Sequence, residues 1–366
     1  MRIAIAGLLG TTGGPRSYAL NLIKNILSID RANDYFIFSD TLRPLEDIEG
    51  AEKIQIGLAS AYTRFLWDHL KVPINLKRYG IELYHNTKNV LPQWCSGKLI
   101  VTIHDLSPFI FPHTFTRLQG LYLRFHLSRS VKRADRVITD SANSKKDIFE
   151  ILRADRGKVV DIPLGVSPQF RKSGDEGRLA RLREKYGLKP RQILFVGTIQ
   201  PRKNLGDLLE AFGRLKRLKE VPHQLVIVGR KGWLSRDLRK SQAKERDLRF
   251  VGEVPDEELP LFYQGAELFV SPSSYEGFGL TCLESMVSGT PVVAYRSSSL
   301  PEVVGDAGIM VEPGDKEALA QAILNIISKE GLRNELIEKG LKRARQFSWE
   351  ATARATLRVY QEVLEG

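Results

Sequence analysis

Short apolar runs alternate with amphipathic stretches along almost the whole chain. The first run, Arg2-Ile-Ala-Ile-Ala-Gly7, reads as a buried strand. It passes through a glycine turn, Gly10-Thr-Thr-Gly13-Gly14-Pro15, into a segment where apolar Tyr18, Leu22, Ile23 and Ile26 recur at helical spacing. Strand, glycine turn and helix together form the opening of a dinucleotide-type α/β unit. Further apolar runs at 35–38, 54–56, 81–84, 99–103, 136–139 and 159–162 predict more strands, several of them separated by helical patterns. That alternation predicts a parallel sheet covered on both faces.

Near Pro168 the pattern breaks. Residues 171–192 are basic, carry Gly174 and Gly177, and read as a linker with a surface helix. A second α/β series then starts afresh with Ile193-Leu-Phe-Val-Gly197. Asn204 is placed to cap a helix whose apolar positions are Leu205, Leu208, Leu209 and Phe212. Strands are predicted at 224–229, at Phe250-Val, at Leu268-Phe-Val and at 291–294. The two halves read as two similar domains, and no short tandem repeat or low-complexity tract interrupts them.

A length of 366 residues agrees with two domains, and 42% hydrophobic with 27% charged residues is ordinary for a globular chain. The formal net charge of +12 is unevenly placed. Residues 1–170 hold 23 basic and 16 acidic side chains, 171–192 hold 8 and 3, and 193–366 hold 24 of each. A general polyanion binder would be basic throughout, so nucleic acid is not expected as a partner. Cys95 and Cys282 lie in no metal-knuckle spacing and are too few for a disulfide scaffold, which points to a reducing compartment. The apolar run at 3–9 is too short for a signal segment, and no run is long enough to span a bilayer. The expected location is cytoplasmic, with contact at the inner face of the membrane as an option.

The most informative stretch runs from Ser271 to Pro291. A strand ends in Pro272 and serines, then Glu276-Gly277-Phe278-Gly279 leads into a helix predicted over 280–288, with Gly289 as its natural stop. The amides of residues 277–280 sit at a helix N-terminus, where an anion is favoured. Glu276 in the loop and Glu284 about a turn into the helix could accept hydrogen bonds from sugar hydroxyls. The plainer alternative is a glycine turn flanked by two solvated glutamates. A second constellation, Gly197-Thr-Ile-Gln-Pro-Arg202-Lys203-Asn204, places two cations at a strand's C-terminal end. Ligands bind at that edge of an open α/β sheet, and Arg and Lys there suit a diphosphate; a solvated basic turn is the alternative.

Together these stretches resemble the retaining glycosyltransferases of family 4, the group 1 glycosyltransferases. Glu276 and Glu284 match the Glu-x7-Glu signature. Tyr275-Glu-Gly-Phe-Gly279, Ser288-Gly-Thr-Pro291 and Ser299-Leu-Pro-Glu-Val-Val-Gly-Asp306 follow that family closely, and Gly197 to Asn204 resembles its phosphate loop. Gly13-Gly14, Thr102-Ile-His-Asp105 and Asp140-Ser-Ala-Asn-Ser144 resemble its first domain, and Phe347-Ser-Trp349-Glu the start of its closing helix. The resemblance implies a GT-B fold: two facing Rossmann-like domains, a cleft between them, and a C-terminal helix crossing back. The implied division is 1–170, a linker at 171–192, 193–346, and a returning helix at 347–366.

The same resemblance implies a nucleotide-diphosphate sugar as donor substrate, no cofactor and no metal. Glu276 would contact the donor sugar and Glu284 the ribose. Arg202 and Lys203 would hold the diphosphate. Gly197, Gly277, Phe278, Gly279 and Leu280 would line sugar and phosphate, and Gly14 would let the first domain's backbone approach. The form of the phosphate loop resembles mannosyltransferases of polysaccharide assembly, which favours GDP-mannose and leaves a UDP-sugar possible. Other GT-B chemistry, such as a phosphorylase or an epimerase, and a non-catalytic sugar-nucleotide binder are the alternatives. Two departures stand out: Thr198 follows Gly197 where many members have Arg, and Thr281 replaces a common Pro.

The acceptor side is read from strand ends. His104 follows a buried strand and is expected to meet a sugar hydroxyl or carry a proton, with His85 and Asp140 as further acceptor-side candidates. The implied acceptor is a glycan or a lipid-linked glycan. Residues 115–133 interleave Phe115, Leu118, Leu121, Tyr122, Phe125 and Leu127 with five cations. They read either as a basic amphipathic helix on an anionic membrane or, more ordinarily, as a core helix with a solvated cationic face. Residues 62–78 show a similar mixture. The base-reading loops are expected at 230–233 and 252–254.

Overall fold

The computed structural model describes residues 1–7, 9–10, 13–56, 67–172, 174–218, 221–230 and 247–366. The chain divides into two compact units, Met1–Gly165 with Ser348–Gly366, and Val166–Phe347.

The first unit contains β1 (Arg2–Gly7), α1 (Gly14–Ile29), β2 (Asp34–Ser39), β3 (Ala51–Gln55), α2 (Val72–Arg78), β4 (Leu83–Asn86), β5 (Lys98–Ile103), α3 (Ser107–Ile110), α4 (Arg117–Arg133), β6 (Arg136–Thr139), α5 (Ala142–Leu152) and β7 (Val159–Asp161). Among the described residues its strands form one parallel sheet in the order β3-β2-β1-β4-β5-β6-β7. Their near-continuous burial explains why they read as unbroken apolar runs. The strand expected at 81–84 lies two residues further on, because Ile81 closes the preceding turn by donating to the carbonyl of Leu76.

The second unit contains α6 (Glu176–Tyr186), β8 (Gln192–Val196), α7 (Leu205–Leu218), β9 (Gln224–Val228), β10 (Leu248–Gly252), α8 (Leu259–Gln264), β11 (Leu268–Ser271), α9 (Leu280–Val287), β12 (Val292–Tyr295), α10 (Leu300–Val304), β13 (Gly308–Val311), α11 (Lys316–Ser328) and α12 (Glu330–Ala344). Its parallel sheet has the order β10-β9-β8-β11-β12-β13. Strand β13 escapes the apolar pattern because it is four residues long and opens on Gly308, a poor strand former.

The basic segment 171–192 is not a free linker. Leu179 and Leu182 of α6 are buried, Tyr186 donates to Glu258 at 2.6 Å, and Gln264 donates to the Arg171 carbonyl at 2.7 Å. The division of units falls at Gly165–Val166, ahead of the break expected near residue 170.

The last helix, α13 (Trp349–Glu365), belongs to the first unit. Ser348 caps it by accepting from Ala351 N at 3.1 Å. Trp349, Thr352, Ala353, Thr356, Val359, Tyr360 and Val363 make one buried stripe at helical spacing, and the helix lies against α1. Burying each large apolar side chain contributes about 1.5–3 kcal/mol, so this stripe is a firm attachment. Thr352 also donates to the Pro163 carbonyl at 2.8 Å.

Candidate active site

In a doubly wound sheet, neighbouring strands whose chains leave in opposite directions open a crevice at their C-terminal ends. The strand order places that point between β8 and β11 in the second unit. The two motifs singled out in the sequence are the loops leaving these two strands.

The loops are stitched together. Arg202 donates from Nη1 to the Tyr275 carbonyl at 2.7 Å and to Glu276 Oε2 at 3.2 Å. In return, the Arg202 carbonyl accepts from the Ser274 amide at 2.8 Å. Lys203 Nζ forms an ion pair with Glu276 Oε1. Burial alone would raise the Glu276 carboxyl. The charges of Lys203 and then Arg202, with hydrogen bonds from Lys203 and Ser273, outweigh it and hold the group down at about 2. Glu276 is therefore a carboxylate throughout the physiological range, and the alternative of a solvated glutamate is removed by its 8% exposure.

The turn that presents Glu276 is fastened from a third loop. The Glu276 amide donates to Ser298 Oγ at 2.8 Å, and Ser299 Oγ donates to the carbonyls of Glu276 and Phe278 at 2.9 and 2.8 Å. Gly279 then starts α9 with φ at 112°, where a Cβ would also lie 2.9 Å from Leu300 Cδ2. The first amides of α9 have no partner in the helix ladder and carry the positive end of its dipole. Leu280 opens this helix as expected, and Ser288 and Gly289 close it.

Glu284 lies on α9 and is half-buried. Burial pushes its carboxyl up to about 7 and the charge of Asp256 adds to this, against a hydrogen bond from Tyr263 and the charge of Lys203. Tyr263 OH donates to Glu284 Oε2 at 2.9 Å. Tyr263 carries no motif and hides among apolar neighbours in α8. The only sequence signal for Ser298 is its place beside the matched Ser299 segment, and its backbone sits in the left-handed region at φ 45°.

Gly197 ends β8, and its amide donates to the Val228 carbonyl at 2.9 Å. Asn204 directly precedes α7. It sits in the left-handed region at φ 45°, and its carbonyl accepts from Asp207 N at 3.0 Å. Of the two loops expected to read the base, 252–254 is described and residues 231–233 lie outside the described residues.

The first unit has its own switch point, between β1 and β4. Gly14 is the exposed first residue of α1, at the loop leaving β1. His104 follows β5, and both its ring nitrogens are engaged. Nε2 donates to the Thr87 carbonyl at 3.0 Å, and Nδ1 faces Asp140 Oδ2 at 2.7 Å. Burial would lower the pKa of the ring, but the charge and hydrogen bond of Asp140 raise it. Burial raises the Asp140 carboxyl as well, against the charge and hydrogen bond of His104. This constellation pairs the ring with a buried carboxyl and leaves neither ring nitrogen free to shuttle a proton.

His85 is corrected by the structure. It is fully buried, with Nδ1 2.6 Å from Tyr360 OH and Nε2 2.8 Å from Thr102 Oγ1. Thr102 Oγ1 in turn lies 2.9 Å from Tyr18 OH. Burial and then the charge of His104 push the His85 pKa down to about 3, so it stays neutral. It fastens α13 to β4 and β5 and cannot reach an acceptor.

Two doubly wound Rossmann-like units, the second with a cation pair and a helix start at its switch point, define a GT-B protein. The family model for glycosyl transferases group 1 matches residues 180–343, and that for Glycosyltransferase Family 4 matches residues 12–170. The O-antigen chain mannosyltransferase B of Escherichia coli is 34% identical over 290 residues, covering 78% of this chain and 76% of the relative. The chain belongs to the group 1, family 4 glycosyltransferases. Among solved structures, the sucrose-phosphate synthase of Thermosynechococcus elongatus superposes with a TM-score of 0.78 at 22% identity, over 100% of this chain and 99% of that one. Anabaena Alr3699/HepE in complex with UDP-glucose gives 0.78 at 17% identity, over 99% and 100%. At these identities the two structures speak to the fold alone.

Proposed function

We propose that the protein is a retaining glycosyltransferase that moves mannose from GDP-mannose to a hydroxyl of a glycan or lipid-linked acceptor, in polysaccharide assembly at a membrane face. The observation that carries this reading is the pairing of half-buried Arg202 and Lys203 with buried Glu276 at the head of β8 and β11, beside the start of α9. The sugar assignment is supported by the mannosyltransferase named above. The donor is assigned to the second unit and the acceptor to the first.

In the proposed step, the bond from the anomeric carbon to the β-phosphate oxygen breaks and its electron pair stays on the phosphate. The acceptor oxygen bonds to the same face of the carbon, and its proton passes to the departing phosphate oxygen. Charge grows on the diphosphate, so the step needs cations and amides already in place. Arg202, Lys203 and the first amides of α9 supply them. Glu276 holds the two cations in position before the donor arrives, and Glu284 accepts from the ribose hydroxyls.

Calorimetric titration with GDP and GMP tests the assignment. The protein is expected to bind GDP at least about tenfold more tightly than GMP, because the β-phosphate adds charge-assisted hydrogen bonds. GDP affinity is also expected to fall as pH drops through about 7, where Glu284 gains a proton and loses an acceptor. Equal affinity for GDP and GMP would remove the diphosphate site. Preference for UDP over GDP would keep the site and overturn the mannose donor.

A further inference from the structure

The large apolar side chains that the protein exposes are not scattered. Among the described residues, every one of them lies within 1–165 and none in the second unit. On α4, Leu118, Leu121 and Phe125 are 77%, 59% and 54% exposed. They continue at helical spacing into exposed Arg129 and Lys132, so one stripe is apolar in its first half and cationic in its second. The face turned inward is instead Gly120, His126, Leu127, Ser130 and Val131. This corrects the more ordinary reading of residues 115–133: Arg117, Arg129 and Lys132 are solvated, but so are Leu118, Leu121 and Phe125.

Two neighbours extend the surface. The His69 and His126 rings lie 4.6 Å apart, which sets the helical turn before α2 beside α4, and Leu70 and Ile74 there are 50% and 65% exposed. Residues 62–66 of that stretch lie outside the described residues. Arg133 donates to the Pro92 carbonyl and ties in the loop that carries Trp94, 69% exposed. No acidic residue occurs between Asp105 and Asp135, while five cations do.

We propose that this face docks on an anionic phospholipid bilayer, with Leu118, Leu121, Phe125 and their neighbours entering the headgroup boundary and Arg129 and Lys132 on lipid phosphates. The charge selects this occupant. A two-fold dimer through the same face would bring two cationic patches into one interface. Interface cores between proteins are depleted in Lys, whereas cations flanking an apolar helical face are what an anionic lipid surface attracts. No helix among the described residues is long and apolar enough to cross a membrane, so α4 would lie in the surface plane. The proposal deepens the membrane-face reading above and rests on it for its purpose. Its test uses neither donor nor acceptor, so the two can fail separately.

The test is co-sedimentation of the full chain with vesicles of equal parts phosphatidylcholine and phosphatidylglycerol, and with phosphatidylcholine alone. The protein is expected to pellet with the anionic vesicles and stay in solution with the neutral ones. Arg129→Gln with Lys132→Gln should weaken binding about thirtyfold, and Leu118→Ser with Leu121→Ser and Phe125→Ser at least about a hundredfold. All five side chains are exposed, so melting temperature and GDP affinity should be unchanged in both variants. The proposal is overturned if the wild-type chain stays in solution with anionic vesicles, or if both variants pellet as it does. It is also overturned if the wild-type chain is a dimer that the serine variant converts to monomer.

Discussion

Replacing Lys203 with alanine is expected to lower turnover about 100- to 1000-fold while the chain stays folded. A single pre-placed donor aimed at developing charge is worth that much in a site shielded from water. Lys203 is such a donor: its side chain is 11% exposed and already oriented by Glu276, so no reorganisation is needed when charge appears on the leaving phosphate. Arg202 still pairs with Glu276 in the variant, which keeps the buried carboxylate compensated and limits the loss of stability. The discriminating measurement is kcat alongside thermal unfolding. A fall in kcat with an intact transition is the expected pair; unchanged kcat would remove Lys203 from the reaction.

Replacing Gly229 with alanine is expected to destabilise the second unit by about 3–5 kcal/mol and lower its melting temperature by about 10 °C. Gly229 follows β9 with φ at 139°, and a Cβ there would lie 2.2 Å from the Gly197 carbonyl oxygen. That neighbour is backbone, so it cannot swing aside like a side chain. Either the ends of β8 and β9 part or the whole loop from Gly197 to Asn204 moves. The Gly229 variant should therefore lose nucleotide binding together with stability, whereas the Lys203 variant loses turnover without stability. Differential scanning calorimetry separates them, and a Gly229→Ala chain melting as the wild type does would mean that the strand ends yield easily.

The site at the head of β8 and β11 was legible because its residues are local in sequence. Glu276, Gly279 and Glu284 lie within nine residues, and Arg202 and Lys203 are adjacent. Periodicity located the strands and the helix start, and the strand order then brought the two loops together. The first unit was less legible because what decides it is distant. His85 looks like a strand-end histidine, but it is covered by Tyr360, 275 residues later. His104 reads as a proton carrier until Asp140 and the Thr87 carbonyl are seen on its two nitrogens. Helix α4 has apolar and cationic positions at helical spacing, and spacing alone does not say which face turns inward. Here Gly120, His126 and Ser130 turn in beside Leu127 and Val131, and Leu118 and Leu121 turn out. Tyr263 and Ser298 hold the site together through single hydrogen bonds that no motif announces.

The central claim is transfer with retention from a nucleotide-diphosphate sugar. A retaining transfer is read by NMR of the first product formed from GDP-α-mannose, from the one-bond carbon–proton coupling at the anomeric position of the new linkage. The expected product is α-mannosidic, with about 100- to 1000-fold less formed when the Lys203→Ala chain replaces the wild type at equal time. A β-linked product would contradict the claim.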